Sequence, residues 1–281
     1  MSRKKTYLGE DTFKVRFDSG YAVKHTRIPT NPEDTPQIIG WSAPARSGTT
    51  AFLYLLASQS VVDRAYFQPQ KTLLRTGGPD FVIRAEDNIV CLKEVFGGDL
   101  SMDTIRAHDP IEILLLAGVP SHKITWVTML REPAQAFGSL QQLQPDLQPE
   151  IVAEAQNWAL ALFAKHRANG VKMIPYIYEF ARGNEEAAIK ALFARLELPF
   201  GADSLNFDPV AIQVKLIPGQ LSDQKYFERN IKPTFDRKRY VYKEKRYDLD
   251  LPIATLDRLS ALCNREYADF RELARRELGL E

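Results

Sequence analysis

The stretch "WSAPARSGTTAFLYLL", residues 41–56, decides the fold. It begins with a buried-strand pattern, continues through a loop of small residues and ends in an apolar helix pattern. A glycine and hydroxyl residues at the start of a helix point backbone N–H groups at one spot, where the helix dipole adds about half a positive charge. The stretch therefore predicts a strand–loop–helix unit that holds a phosphate. The alternative is a plain strand-to-helix turn with Thr49 as N-cap.

The loop departs from the Walker pattern G-x-x-x-x-G-K-[ST] at two positions. Ala43 stands at the first glycine, and Thr49 stands at the lysine that reaches the β- and γ-phosphates beside magnesium. A cation comes earlier instead, as Arg46. These departures argue against hydrolysis of a nucleoside triphosphate.

Strand and helix patterns alternate after residue 37. Apolar strand patterns cover 37–43, 88–96, 123–130 and 171–179, and helix patterns cover 49–59, 109–118, 150–168, 184–196 and 252–277. Continuous apolar strands between helices predict an α/β fold, a three-layer sandwich with a mostly parallel central sheet and ligands at the carboxyl ends of its strands. Pro175 cannot donate to a ladder and predicts an edge or a bulge for the fourth strand.

Residues 1–36 are predicted to form an N-terminal hairpin (13–25) and a Pro-rich linker, and residues 37–281 to form the α/β domain. The net charge of +1 gives no general attraction to nucleic acid or to anionic membranes. The two cysteines, Cys91 and Cys263, have no metal-type spacing and are predicted to be reduced. The sequence shows no apolar signal-peptide region and no membrane-length apolar run, so a cytoplasmic protein is expected.

Three segments resemble the sulfotransferases that use 3′-phosphoadenosine 5′-phosphosulfate (PAPS). The first is "PARSGTT" (44–50), which resembles the family's 5′-phosphate loop with one extra residue between Pro44 and Arg46. The resemblance implies that Arg46, Ser47, Gly48, Thr49 and Thr50 hold that phosphate. Ala51 stands where the cytosolic branch has an adenine-stacking tryptophan, so this sequence looks like a bacterial-type member.

The second segment is "VTMLREPAQAFGSL" (127–140), a strand that ends in Arg131 with Ser139 eight residues later. It resembles the family's 3′-phosphate motif, and an arginine there can fork onto a phosphate dianion. A surface turn with Pro133 at the first helical position is the other interpretation. The third segment, 176–200, resembles the family's Tyr-Glu-Asp strand end and implies that Tyr178 lies near the adenosine, although a half-buried strand tyrosine would look the same.

Sulfuryl transfer needs cations at the leaving oxygen and a base for the acceptor proton. Arg46 and Lys93 are the predicted cations, and Lys93 matches the lysine of the family's Lys-Thr-His segment. Val95 stands at the histidine of that segment, so Glu94 is the predicted base and His108 its substitute. A solvent-facing strand end is the plainer interpretation of Lys93 and Glu94. No metal is expected.

The segment 225–246 carries nine Lys and Arg against three Asp and Glu, a local balance of +6. The resemblance implies a lid over the nucleotide within 215–247, with Arg237 and Lys238 as phosphate contacts. A solvated loop and a nucleic-acid contact are the alternatives.

The expected function is in-line, metal-free transfer of a sulfuryl group from PAPS to a hydroxyl or amine, with 3′,5′-adenosine bisphosphate (PAP) as product. The expected acceptor is a small molecule or a carbohydrate, its pocket is expected in loops such as 60–87 and 141–150, and no nucleic acid or membrane partner is expected. A kinase-like phosphotransferase and a non-catalytic nucleotide-binding module are the alternatives. The sequence leaves the acceptor and homo-oligomerisation open.

Overall fold

The fold was analysed in a computed structural model, which describes residues 18–97, 102–218, 238–242, 248 and 251–280. Eight strands are present in this part of the chain: β1 Thr26–Arg27, β2 Gln37–Pro44, β3 Arg64–Phe67, β4 Phe81–Val82, β5 Ile89–Phe96, β6 Ile124–Leu130, β7 Lys172–Ile177 and β8 Leu216–Pro218. The helices are α1 Ser19–Lys24, α2 Thr49–Ala57, α3 Pro69–Thr76, α4 Met102–Arg106, α5 Pro110–Leu116, α6 Pro133–Gln141, α7 Pro149–Ala168, α8 Glu185–Leu196, α9 Pro209–Lys215 and α10 Ile253–Leu278. Short 3₁₀ turns fill 32–34, 121–123 and 178–181.

Six strands form one sheet in the order β7–β6–β2–β5–β3–β8, and every neighbouring pair is parallel. The predicted parallel sheet is therefore confirmed. β7 lies at the edge, as Pro175 predicts, because a proline there costs only a hydrogen bond that an edge strand can lose. β1 and β4 form a separate parallel pair.

Helices cover both faces of the sheet, which confirms the predicted three layers. Residues of α2, α8 and α9 pack on one face in a core with Trp41, Phe52 and Phe193. Residues of α1, α3, α5, α7 and α10 pack on the other face in a core with Trp126 and Phe96.

Most predicted elements begin and end within two residues of the observed ones, because their ends carry recognisable signals. Asp109 accepts the N–H of Glu112 at the start of α5, and Asn184 accepts the N–H of Ala187 at the start of α8. Gly170 follows α7 with a φ of 80°, where a glycine costs no strain.

Three predicted features of local structure differ from the observed ones. The described end of the predicted hairpin, residues 19–24, is the helix α1, because the Asp18 carboxylate accepts the N–H of Gly20 as an N-cap. Residues 60–87 are more than a loop, since they contain β3, α3 and β4, and residues 216–218 of the predicted lid form the edge strand β8.

Candidate functional site

The carboxyl ends of four neighbouring strands lie at the same level. Pro44 of β2 pairs with Phe96 of β5, and Leu130 of β6 pairs with Ile177 of β7. The residues that follow these ends therefore share one edge of the sheet, where ligands bind in open α/β folds. The loop 45–48, Arg131 and Tyr178 all emerge at this edge.

The loop after β2 has the backbone of an anion cradle. Arg46 and Gly48 adopt positive φ values of 72° and 80°, and Gly48 is the N-cap residue of α2. A Cβ on Gly48 would lie 2.3 Å from Cε2 of Tyr178, so only glycine fits there. The Ser47 hydroxyl is fully buried and has no hydrogen-bond partner among the residues that the structure describes. A buried donor without a partner beside a helix N-terminus suits a phosphate oxygen.

Arg131 and Ser139 both contact this loop. Nη1 of Arg131 donates to the carbonyl oxygen of Arg46 at 2.9 Å. Nε of Arg46 donates to Oγ of Ser139 at 3.0 Å. Arg131 and Ser139 are almost fully buried, whereas Arg46 is exposed. The two predicted phosphate anchors are therefore brought together, although they lie 85 residues apart in sequence.

Three further side chains hold Arg131, and the sequence reasoning did not name two of them. The ring of Tyr178 lies 5.1 Å from Cζ of Arg131. Nε2 of Gln156 donates to the Arg131 carbonyl oxygen at 2.7 Å, and Oε1 of Glu179 lies 3.8 Å from Arg131 Nε. Gln156 lies on α7, and no sequence signal connects a glutamine in a helix to a strand end 25 residues earlier.

Lys93 and Glu94 point to opposite faces of the sheet, because successive side chains of a strand alternate. Nζ of Lys93 lies 3.7 Å from the centre of the Phe67 ring, on the face covered by α2. Glu94 lies on the face covered by α3 and is fully buried. Lys93 pairs with Trp41 of β2, three residues before the carboxyl ends of the two strands. Arg46, the other predicted cation, lies in the loop after β2 and contacts Ser139.

The carboxylate of Glu94 holds the start of α3. It accepts the backbone N–H of Gln70 at 2.9 Å and that of Lys71 at 3.3 Å. Burial raises the pKa of Glu94 to about 8, against the opposing effect of these two N–H groups. For Glu94 to act as the predicted base, α3 would have to release it to an acceptor.

The predicted substitute base lies next to Glu94. Nε2 of His108 is 3.4 Å from Oε2 of Glu94, and His108 is also fully buried. Burial lowers the pKa of His108 to about 3, and the nearby Lys71 adds to this effect. The two candidate bases therefore form one enclosed pair.

Residues 238–242, the described part of the basic segment, lie beside the loop. Arg237 and most of 225–246 lie outside the described residues, and Lys238 is exposed. Tyr240 and Tyr242 are buried, and the Tyr242 ring lies 4.9 Å from the Tyr178 ring. This contact anchors the described part, 238–242, next to Gly48, and neither tyrosine was singled out in the sequence.

Within the described ranges, no group of three or more His, Cys, Asp or Glu is arranged to hold a metal ion. No helix among the same residues is long and apolar enough to cross a membrane.

Three solved structures of sulfotransferases resemble this chain. The mouse sulfotransferase SULT7A1 complexed with PAP superimposes with a TM-score of 0.51 at 9% identity, over 94% of this chain and 95% of that one. The sulfotransferase domain of the Synechococcus PCC 7002 olefin synthase gives 0.43 at 15% identity, over 71% and 90%. The sulfotransferase domain of the curacin biosynthetic pathway gives 0.42 at 12% identity, over 80% and 96%.

No sequence-family model matches the chain, and no curated protein sequence matches it either. At 9% identity, the likeness to the mouse enzyme shows a shared fold. The α/β fold of this chain is therefore one that it shares with a sulfotransferase.

Proposed function

We propose that this protein is a sulfotransferase that moves a sulfuryl group from PAPS to a hydroxyl or amine of a small-molecule or carbohydrate acceptor. The observation that carries the proposal is the direct contact between the two predicted anchors, the 2.9 Å hydrogen bond from Arg131 to the Arg46 carbonyl. This contact supports a site in which both anchors bind one small molecule with two phosphate groups.

The residues at the carboxyl edge suit the phosphates of such a nucleotide. The N–H groups of Ser47 to Thr50 and the start of α2 would hold the 5′-phosphate, as the cradle around Gly48 suggests. Arg131 and Ser139 would hold the 3′-phosphate, because a guanidinium and a hydroxyl both donate to phosphate oxygens. When bound, PAPS supplies an activated sulfuryl group whose transfer leaves PAP.

Two cations are proposed to stabilise the leaving oxygen. Arg46 is exposed and bonded to Ser139, so its guanidinium can turn from that hydroxyl to a charged ligand. Lys93 is a buried cation that rests on the Phe67 ring, and a buried cation acts on nearby developing charge more strongly than one in water. Glu94, with His108 beside it, is the proposed base. In this role its carboxylate leaves the N–H groups at the start of α3 and accepts the proton of the acceptor.

The first experiment is calorimetric titration with PAP and, separately, with ATP and magnesium. We expect PAP to bind in the micromolar range and ATP with magnesium to bind at least about tenfold more weakly, a difference of about 1.4 kcal/mol. Tighter binding of ATP with magnesium would support the phosphotransferase alternative and contradict the proposal.

A matched pair of arginine variants connects the binding to Arg131. Arg131→Lys keeps the charge beside Glu179 but loses the planar fork, so PAP binding should weaken about tenfold or more. Arg64→Lys is the control. Arg64 also lies at the end of a strand and pairs with a carboxylate, that of Asp87 at 2.7 Å, but it lies at the amino end of β3, away from the site. Transfer of labelled sulfate from PAPS to a panel of acceptors then tests turnover.

A further inference from the structure

Glu179 connects Arg131 to the C-terminal helix. Its Oε1 accepts the backbone N–H of Glu132 at 3.2 Å and lies 3.8 Å from Nε of Arg131. Its Oε2 accepts the hydroxyl of Tyr267, which lies on α10, at 3.2 Å. The carboxylate thus lies between two residues of the β6–α6 junction, Arg131 and Glu132, and one residue of α10, Tyr267.

Glu179 is buried and has both positively and negatively charged neighbours. Its side chain is 11% exposed and that of Arg131 is 7% exposed. The titratable groups that face this cluster come from three segments. They are Tyr176 and Tyr178 beside Glu179 in sequence, Arg131 and Glu132 in the β6–α6 junction, and Tyr267 and Arg271 on α10. Burial raises the pKa of Glu179, and Arg131 opposes that effect.

We propose that Glu179 is a positioning residue for the phosphate site, which holds the Arg131 guanidinium while no phosphate is bound and becomes more fully protonated when a phosphate binds to Arg131. This inference rests on the proposed function, because it needs a phosphate at Arg131.

The physical reason is a competition for one cation. Without a ligand, the nearby carboxylate compensates the buried charge of Arg131, so the side chain keeps its position. A phosphate dianion on Arg131 places a like charge close to Glu179, and a like charge favours the protonated form of a carboxyl. The proton comes from the solvent and binds to a carboxylate oxygen of Glu179, and no bond of the ligand changes.

The test measures the number of protons that accompany PAP binding, by calorimetry at pH 7 in buffers of different ionisation enthalpy. Wild type should take up at least about 0.3 proton more than Glu179→Gln, because only the carboxylate can bind the proton. Any proton released by the phosphates themselves is common to both proteins and cancels in the difference. Because proton uptake makes binding weaker as the pH rises, the affinity of wild type for PAP should fall relative to that of Glu179→Gln between about pH 6 and 8.

A control variant separates this effect from the loss of any buried carboxylate. Glu277 lies on α10, and its side chain is 14% exposed, close to the exposure of Glu179. Its carboxylate lies 2.6 Å from Arg167, away from the strand ends that form the site. Glu277→Gln should keep the wild-type proton number. A purely structural role for Glu179 would weaken PAP binding equally at every pH and leave the proton number unchanged.

Tyr267→Phe keeps the inference testable if Glu179→Gln does not fold. It removes one donor from the charged form of Glu179, so the pH of maximal proton uptake should rise. Equal proton numbers in wild type and Glu179→Gln, or an unchanged pH maximum in Tyr267→Phe, would overturn the inference while PAP binding stands. Failure of wild type to bind PAP would overturn the proposed function, and the inference with it.

Discussion

Replacing Glu94 by glutamine is expected to change how the stability of the protein depends on pH. Glu94 is fully buried, and burial raises its pKa from the usual 4.5 to about 8. The folded protein therefore keeps a proton on Glu94 at pH 6.5, whereas the unfolded chain does not. Stability must fall as the pH rises from about 4.5 to about 8, because the folded state binds more protons than the unfolded state over that window.

The size of the effect follows from the two pKa values. From pH 4.5 to pH 8 the loss in the free energy of unfolding is on the order of 5 kcal/mol, because each pH unit contributes about 1.36 kcal/mol. Between pH 6.5 and 8.5, the single proton on Glu94 accounts for a loss of about 2 kcal/mol. His108, whose pKa burial lowers to about 3, acts in the opposite direction: its contribution is lost as the pH falls from about 6.5 towards 3. Working above pH 6.5 keeps most of that effect out.

The assay is urea unfolding of wild type and Glu94→Gln at several pH values from 6.5 to 8.5. The amide can accept one of the two N–H groups of α3, so any constant offset is ignored and only the pH dependence is compared. Over this range wild type should lose about 2 kcal/mol relative to the variant, which corresponds to about 3 °C in Tm. Glu186→Gln, which changes an exposed carboxylate on α8, should follow wild type. Parallel curves for wild type and Glu94→Gln would refute the reasoning.

Two other substitutions test the loop and the buried cation. Gly48→Ala should cost about 2–4 kcal/mol and abolish PAP binding, because it adds a Cβ that meets Tyr178 at 2.3 Å in a residue with a φ of 80°. Gly170→Ala has the same φ, but its Cβ would meet no atom of the described residues within 4 Å, so it isolates the backbone strain, about 1–2 kcal/mol. An equal loss of stability in both variants would contradict the tight contact at Gly48. Lys93→Met should leave Tm and PAP affinity nearly unchanged, because a similar apolar side chain replaces a buried charge, yet lower kcat about 10²-fold or more. A kcat within a factor of about three of wild type would remove Lys93 from the proposed chemistry.

Much of the fold follows from local signals in the sequence. The four long strands are continuous apolar runs. Pro175 predicts an edge or a bulge for β7, and β7 lies at the edge. β3 and β8 were missed because they have four and three residues, too short to show a period. The helix α1 was missed because a few alternating apolar residues outweighed the Asp18 N-cap signal.

The sequence predicts the loop of the candidate site but not the contacts that support it. Strand alternation was enough to place Lys93 and Glu94 on opposite faces, and that signal was present in the sequence. The contacts of Gln156, Glu179 and Tyr242 depend on how distant elements pack, and nothing in the local sequence records them. The Arg46–Ser139 hydrogen bond joins residues 93 positions apart for the same reason.

The most direct test of the proposed function is a crystal structure of the protein with PAP. One PAP molecule should lie at the carboxyl edge, with its 5′-phosphate on the N–H groups of Ser47 to Thr50 and its 3′-phosphate on Arg131 and Ser139. A PAP molecule that contacts only one of these anchors, or a nucleotide bound elsewhere on the protein, would contradict the account.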